Sequence, residues 1–180
     1  MDVSNQTESE VPAARFEQVV MPHLDAAFSL ARWLAGNAHD AEDIVQESYL
    51  RAYRAFHTVH GGDVRPWLLS IIRNTCYTWL KRNRARAPKA ISDDELDDLT
   101  TSAFDPQAEL LRLDDEENLT RAMDQLPPEY REVIVLRELQ ELSYRQIAEI
   151  VQIPIGTVMS RLARARNQLE RLLLAAAEEV

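Results

Sequence analysis

The chain has 180 residues, 20 Lys and Arg against 30 Asp and Glu for a formal net charge of -10, and one cysteine. That length suits one medium domain or two small ones. A single cysteine excludes an internal disulfide and a cysteine-rich zinc site, and no apolar run approaches the length needed to cross a bilayer. The first ten residues, polar and acidic, lack the basic-then-apolar order of a secretory signal, so the cytoplasm is the default address.

Residues 1–14 read as a disordered tip. From Phe16 to Ala35 apolar residues recur at three- and four-residue steps, which predicts an amphipathic helix that Pro22 splits or kinks. Gly36-Asn37 ends it, and Asp40 is the expected N-cap of a second helix reaching about Phe56. That helix carries Asp43, Gln46, Glu47, Leu50 and Arg51 on a mixed surface which, taken alone, is a solvated face. His57 to Asp63 is a loop containing Gly61-Gly62.

Arg65-Pro66 opens a third helix, expected to run to about Arg84, with proline near the first turn where its missing N–H costs little. Trp67, Leu68, Ile71, Ile72, Thr75 and Trp79 fall on one side at 100° per residue. Arg73, Tyr77, Lys81 and Arg84 form a stripe expected to face solvent, with Asn74 at its edge. Rings beside a cationic track suit unstacked single strands, in which bases stack and phosphates are neutralised. A core helix with ordinary polar positions explains the stripe about as well, and for Trp67 and Trp79 it is the better explanation.

Residues 85–101 lose periodicity, and from Asp93 to Glu117 a run of carboxylates is opposed by Arg112 alone. Basic clusters flank this strap, Arg73 to Lys89 before it and Arg161 to Arg171 after it, so local field rather than net charge decides where a polyanion docks. A helix is expected from Asp105-Pro106 to about Gln125, and another from Glu129 to Leu139 after Pro127-Pro128.

Ser143-Tyr144-Arg145-Gln146 has the form of a capping box leading a short helix through Ile147, Ala148 and Val151. Gln152-Ile153-Pro154 turns the chain into a last helix, starting near Gly156-Thr157, that buries Val158, Leu162, Ala165, Leu169 and Leu172. This is a helix-turn-helix pattern, whose second helix enters the major groove with its first turns at base edges. Thr157, Ser160, Arg164, Asn167 and Arg171 point outward, Arg161 flanks them, and Tyr144 and Arg145 are placed for phosphate. An isolated arginine run is usually a solvated face. Here the capped helix, the proline-bearing turn and the apolar seam favour groove binding.

Four segments then appear in order: D-A-E-D-I-V-Q-E-S-Y-L-R-A-Y-R (Asp40–Arg54), R-P-W-L-L-S-I-I-R-N-T-C-Y-T-W-L-K-R (Arg65–Arg82), L-P-P-E-Y-R-E-V-I-V-L-R (Leu126–Arg137) and L-S-Y-R-Q-I-A-E-I-V-Q-I-P-I-G-T-V-M-S-R-L-A-R-A-R (Leu142–Arg166). Together they closely resemble the extracytoplasmic-function (ECF) sigma factors of bacteria, over nearly all of residues 16–173. The resemblance implies an all-α chain of two small helical domains: region two at 15–88, an acidic linker at 89–118 and region four at 119–180.

It further implies a non-enzymatic subunit, without cofactor or metal, that binds core RNA polymerase and promoter DNA and acts in a stress or envelope response. A separate anti-sigma factor is the expected antagonist, and no membrane insertion is expected. Asp43, Gln46, Glu47, Leu50 and Arg51 take the polymerase-docking role. Asn74 takes capture of a flipped base at the minus-ten element, with Trp67, Arg73, Tyr77 and Lys81 beside it. Thr157, Ser160, Arg161 and Arg164 take the minus-thirty-five element, joined by Tyr144 and Arg145.

Three positions depart from the family pattern. Gln152 stands where glycine is usual, Met159 where a basic residue is common, and Ala163 where some members carry an aromatic. If Gln152 is left-handed, it is strained by roughly 1 kcal/mol relative to glycine. An independent repressor or activator using only the helix-turn-helix is the rival reading. It requires tight DNA binding without polymerase and gives Asn74 no task.

Overall fold

The computed structural model describes the backbone at residues 13–59, 61–86 and 106–178, and side chains within 13–59, 61–83 and 116–176. Residues 1–12 of the expected tip, His60, the side chain of Arg84, Lys89 and most of the acidic strap therefore lie outside the described residues, while Ala13 and Ala14, expected in the tip, are helical. Every regular element among those described is helical.

The first amphipathic pattern divides at Pro22 as its chemistry requires. Helix α1 covers residues 13–20, a 3₁₀ turn covers Met21–His23, and α2 covers Leu24–Ala35. Gly36 ends α2 at φ 89°, a left-handed conformation that glycine adopts without steric cost. The next residue, Asn37, is the N-cap of α3 (Ala38–Ala55): its side chain accepts from the Asp40 N–H at 2.9 Å. Asp40 is thus in the first turn and not the cap. Asparagine outcompetes it because it directly follows the left-handed residue and already has extended backbone.

Helix α4 (Val64–Arg86) begins where Asp63 accepts from the Arg65 N–H at 3.0 Å. It packs on α2 and α3 along Leu68, Leu69, Ile72 and Cys76, all fully buried. Burial pushes the Cys76 thiol up to about 12, so it is a protonated core side chain. Phe16 locks α1 onto this bundle through edge-on contacts with Tyr49, Tyr53 and Phe56.

The C-terminal half consists of α5 (Pro106–Gln125), α6 (Pro128–Ile134), α7 (Tyr144–Val151) and α8 (Ile155–Glu178). The expected Glu129–Leu139 helix does not stay regular: Val135–Leu139 is one π-helical turn, closed by Gln140 N–H donating to the Val135 carbonyl at 3.0 Å. The capping box forms as the sequence predicts, Ser143 accepting from the Gln146 N–H and Gln146 reaching back to the Ser143 N–H at 3.0 Å. Gln152 then takes φ 60°, ψ 45°, the left-handed turn between α7 and α8. Its side-chain amide donates to the Glu149 carbonyl at 2.5 Å, which offsets part of the strain. Val158, Leu162 and Ala165 are buried as expected, whereas Leu169 and Leu172 are half-buried because α8 extends past the helices that cover its first half.

The two halves pack on each other. Helix α4 touches α7, and α2 touches α6 and the π-turn. Arg131 donates across the boundary to the Trp33 carbonyl at 3.0 Å while bonding the Met123, Asp124 and Leu126 carbonyls of its own half. Arg65 reaches Gln140 at 2.7 Å, and Gln146 reaches Asp63 at 3.4 Å.

Candidate nucleic-acid interface

Three surfaces carry the residues singled out by sequence. On α8, Thr157, Ser160, Arg164, Asn167 and Arg171 are all exposed on one side, opposite buried Val158, Leu162 and Ala165. The exposure of Ile155 and Met159 beside them leaves the first two turns of α8 uncovered. Among the described residues nothing covers this face, and its polar groups can meet a duplex groove directly. Arg145, at the start of α7, is exposed and holds only a loose pair with Glu149 at 3.3 Å. Tyr144 is half-buried under the Arg137 guanidinium, 5.0 Å from its ring centre, which fixes the ring at the α7 N-terminus.

The α4 stripe divides. Asn74 and Lys81 are exposed as expected. Arg73 and Tyr77, expected to face solvent, instead turn toward the C-terminal half. Arg73 Nε donates to Glu132 Oε2 at 2.8 Å, and its guanidinium lies 4.7 Å over the Tyr77 ring. Burial first, then the charge of Glu132, pushes the Tyr77 phenol well above its ordinary value. A helical wheel shows two sides, while α4 is packed on α2 and α3 along one and on the C-terminal half along another. Trp67 and Trp79 are half-buried against the core, in keeping with the core explanation for them.

On α3, Asp43, Gln46, Glu47, Leu50 and Arg51 share one face at helical three- and four-residue spacing, with Glu47 and Arg51 paired to each other. Leu50 is 61 % exposed, and beside it a shallow apolar groove is lined by Met21, Tyr49 and Tyr53. An apolar side chain that open, beside the carboxylates of Glu17 and Glu47, suits a protein partner better than nucleic acid. Tyr49 spans the groove floor, its hydroxyl 3.4 Å from the Val20 carbonyl, and burial pushes its pKa up to about 12.

Sequence reasoning passed over Glu132, which is 1 % exposed and receives Arg73 and, at 3.5 Å, Arg161. A signal existed: Glu132 lies three and four residues before Val135 and Leu136, on the inward face of an apolar run, where a carboxylate must find a cation. Among the described residues no helix is long and apolar enough to cross a membrane. No group of three or more His, Cys, Asp or Glu there has the arrangement to hold a metal ion.

Residues 19–86 match the model for Sigma-70 region 2, and residues 116–169 match that for Sigma-70, region 4. The chain is 30% identical over 156 residues to an ECF RNA polymerase sigma factor, SigM of Bacillus subtilis, covering 87% of this chain and 93% of that one. It is 36% identical to the ECF RNA polymerase sigma-E factor of Haemophilus influenzae, covering 78% and 77%. With SigE of Mycolicibacterium smegmatis it shares 32% identity over 95% of its own length and 66% of the longer relative. Its fold is similar to that of the sigma factor RpoE in complex with the anti-sigma factor NepR from Bartonella quintana, at TM-score 0.73 and 27% identity, covering 88% of this chain and 96% of that one. It is also similar to CnrH in complex with the cytosolic domain of CnrY, at 0.62 and 26%, covering 89% and 88%.

Proposed function

The chain belongs to the ECF RNA polymerase sigma factors, and from that premise we propose how its own residues divide the work of an initiation factor. Such a factor binds core RNA polymerase and directs promoter recognition and transcription initiation. In the proposed division the α3 face of Asp43, Gln46, Glu47, Leu50 and Arg51 docks on the polymerase. Asn74 receives an extruded base of the minus-ten element, with Arg73, Tyr77 and Lys81 serving phosphate and base faces and Trp67 bracing the helix. The α8 face of Thr157, Ser160, Arg161 and Arg164, with Tyr144 and Arg145, reads the minus-thirty-five duplex.

The observation that carries this reading is the open outer face of α8 behind a capped helix and a left-handed turn. Arginine can donate two parallel hydrogen bonds to one guanine edge, and Arg164 is exposed with no carboxylate paired to it among the described residues. Each DNA surface needs only modest affinity, because docking on one large partner raises the effective concentration of the second contact. No covalent step is assigned to this chain; the polymerase carries the chemistry. A cytoplasmic location, a stress or envelope response and control by a separate anti-sigma protein complete the proposal. The solved structure of RpoE in complex with the anti-sigma factor NepR supports that last element.

Run-off transcription with core polymerase across a promoter library tests the assignment. The expected result is specific starts with wild type, loss of promoter selection with Arg164→Ala, and loss of opening with Asn74→Ala. Gel shifts must show weak binding by free protein and tight binding by the holoenzyme. Tight operator binding by the free chain, unaffected by Asn74→Ala, supports the independent-repressor reading instead.

A further inference from the structure

Three side chains assigned above to DNA converge on a carboxylate that has no task in promoter reading. Glu132, on α6, holds Arg73 of α4 through two contacts, 2.8 Å to Oε2 and 3.4 Å to Oε1, and Arg161 of α8 at 3.5 Å. The Tyr77 phenol lies within its field. The carboxylate is 1 % exposed, and the Arg73 and Arg161 side chains are only 18% and 24% exposed. A guanidinium forked onto a carboxylate offers the same donors that it would give a phosphate, so the two anions compete for it.

We propose that Glu132 is an internal stand-in for nucleic-acid phosphate, latching the two domains in a closed form that withholds one cation from each DNA surface until the domains separate. The inference rests on the assignment of Arg73 and Arg161 to DNA. The remaining contacts between the halves fit a reversible latch. The remaining polar ones are single hydrogen bonds, Arg131 to the Trp33 carbonyl, Arg65 to Gln140 and Gln146 to Asp63, beside apolar packing of α4 on α7 and α2 on α6. A buried ion pair adds little net stability over neutral packing, because desolvation cancels most of its attraction. The polar contacts therefore set the geometry of the closed form, and the apolar packing of the two halves supplies its cohesion. Asn74, Lys81, Thr157, Ser160 and Arg164 stay exposed within it, so the masking falls on phosphate neutralisation more than on base reading.

The test uses the full free chain, X-ray scattering for its radius of gyration, and a fluorescein-labelled mixed-sequence DNA duplex titrated across a salt series. Three variants are compared: Glu132→Gln, which removes the latch charge; Gln140→Lys, which sets a cation against Arg65 at the boundary and touches no assigned DNA residue; and Glu116→Gln, a matched charge change on exposed α5. Circular dichroism establishes that each remains helical. Glu132→Gln and Gln140→Lys are expected to enlarge the radius of gyration and bind duplex about tenfold tighter than wild type and Glu116→Gln. The log affinity against log salt slope should steepen by about 1.8, two phosphates at about 0.9 each.

Unchanged dimensions in Glu132→Gln overturn the latch, and expansion in Gln140→Lys alone overturns the role of Glu132. Expansion of both without a steeper salt slope overturns the masking. Should Glu132→Gln fail to fold, Gln140→Lys decides between a masking closed form and none. Arg73→Ala in polymerase holoenzyme judges the underlying assignment separately: lost promoter opening there, with no expansion in Glu132→Gln, leaves the assignment standing and the latch refuted.

Discussion

Helices α4 and α8 carry similar chemistry in different settings. Both bear arginines along an outward stripe opposite a buried seam, yet α8 shows its stripe to solvent while α4 presses Arg73 and Tyr77 against the other half of the chain. The difference shows that a polar helical face is not by itself an available surface. What decides is whether another element brings a buried counter-charge to it. Helix α8 keeps Thr157, Ser160 and Arg164 open and gives up only Arg161 to Glu132, whereas α4 turns both Arg73 and Tyr77 inward.

The sharpest way to break this contrast is through the cores. Leu68 of α4 is fully buried, so Leu68→Ala should cost about 2–5 kcal/mol in urea denaturation. Leu172→Ala, on the half-buried end of α8, should cost about 1 kcal/mol or less. Equal losses would show that the two helices are packed alike.

Alkaline titration sharpens the same point, because Cys76 and Tyr77 lie on α4. Both pKa values are raised on folding, so their contribution is intact at neutral pH; that of Cys76 is lost as pH rises from about 9 through 12, and that of Tyr77 begins to go only above about 10. Cys76 alone accounts for a loss on the order of 4 kcal/mol by pH 12. The urea midpoint should be flat from pH 7 to 8.5 and then fall, with a shallower fall in Cys76→Ala.

Arg164→Ala, on the open helix, should reduce promoter-specific transcription about 10- to 100-fold, from the loss of about 1–3 kcal/mol of base contact, with polymerase binding unchanged in pulldowns. Gln152→Gly relaxes the left-handed turn and should raise stability by about 1 kcal/mol, without altering transcript start sites. The smallest effect belongs to the exposed Arg145–Glu149 pair. Glu149→Gln should change stability by no more than about 0.5 kcal/mol.

Much of the fold was legible because the signals were local. The Ser143 to Gln146 capping box, the split at Pro22 and the apolar seam of α8 each follow from a few neighbouring residues, and each stands in the structure. The open α8 face was legible for the same reason: the wheel that buries Val158, Leu162 and Ala165 leaves Thr157, Ser160 and Arg164 outside. The cap of α3 was misjudged by three residues, since choosing Asn37 over Asp40 requires knowing that Gly36 is left-handed. The direction of Arg73 was not legible at all, because Glu132 lies 59 residues further along the chain. No periodicity within α4 reports what a separate domain will place against it.

The π-turn at Val135–Leu139 bears on how the reading head is aimed. A π-turn holds one residue more than an α-helical turn would, so everything after it is advanced by one step of roughly 100° about the axis of α6. Deleting a single residue there would let the turn close as regular helix and swing α7 and α8 around by that step. Arg161 would then point away from Glu132, and the face proposed for the minus-thirty-five element would be turned relative to the rest of the chain even though every side chain on it remained. On the proposed assignment, the spacing of this segment shapes DNA preference as much as the side chains do, because an insertion or deletion here re-aims the whole α8 face.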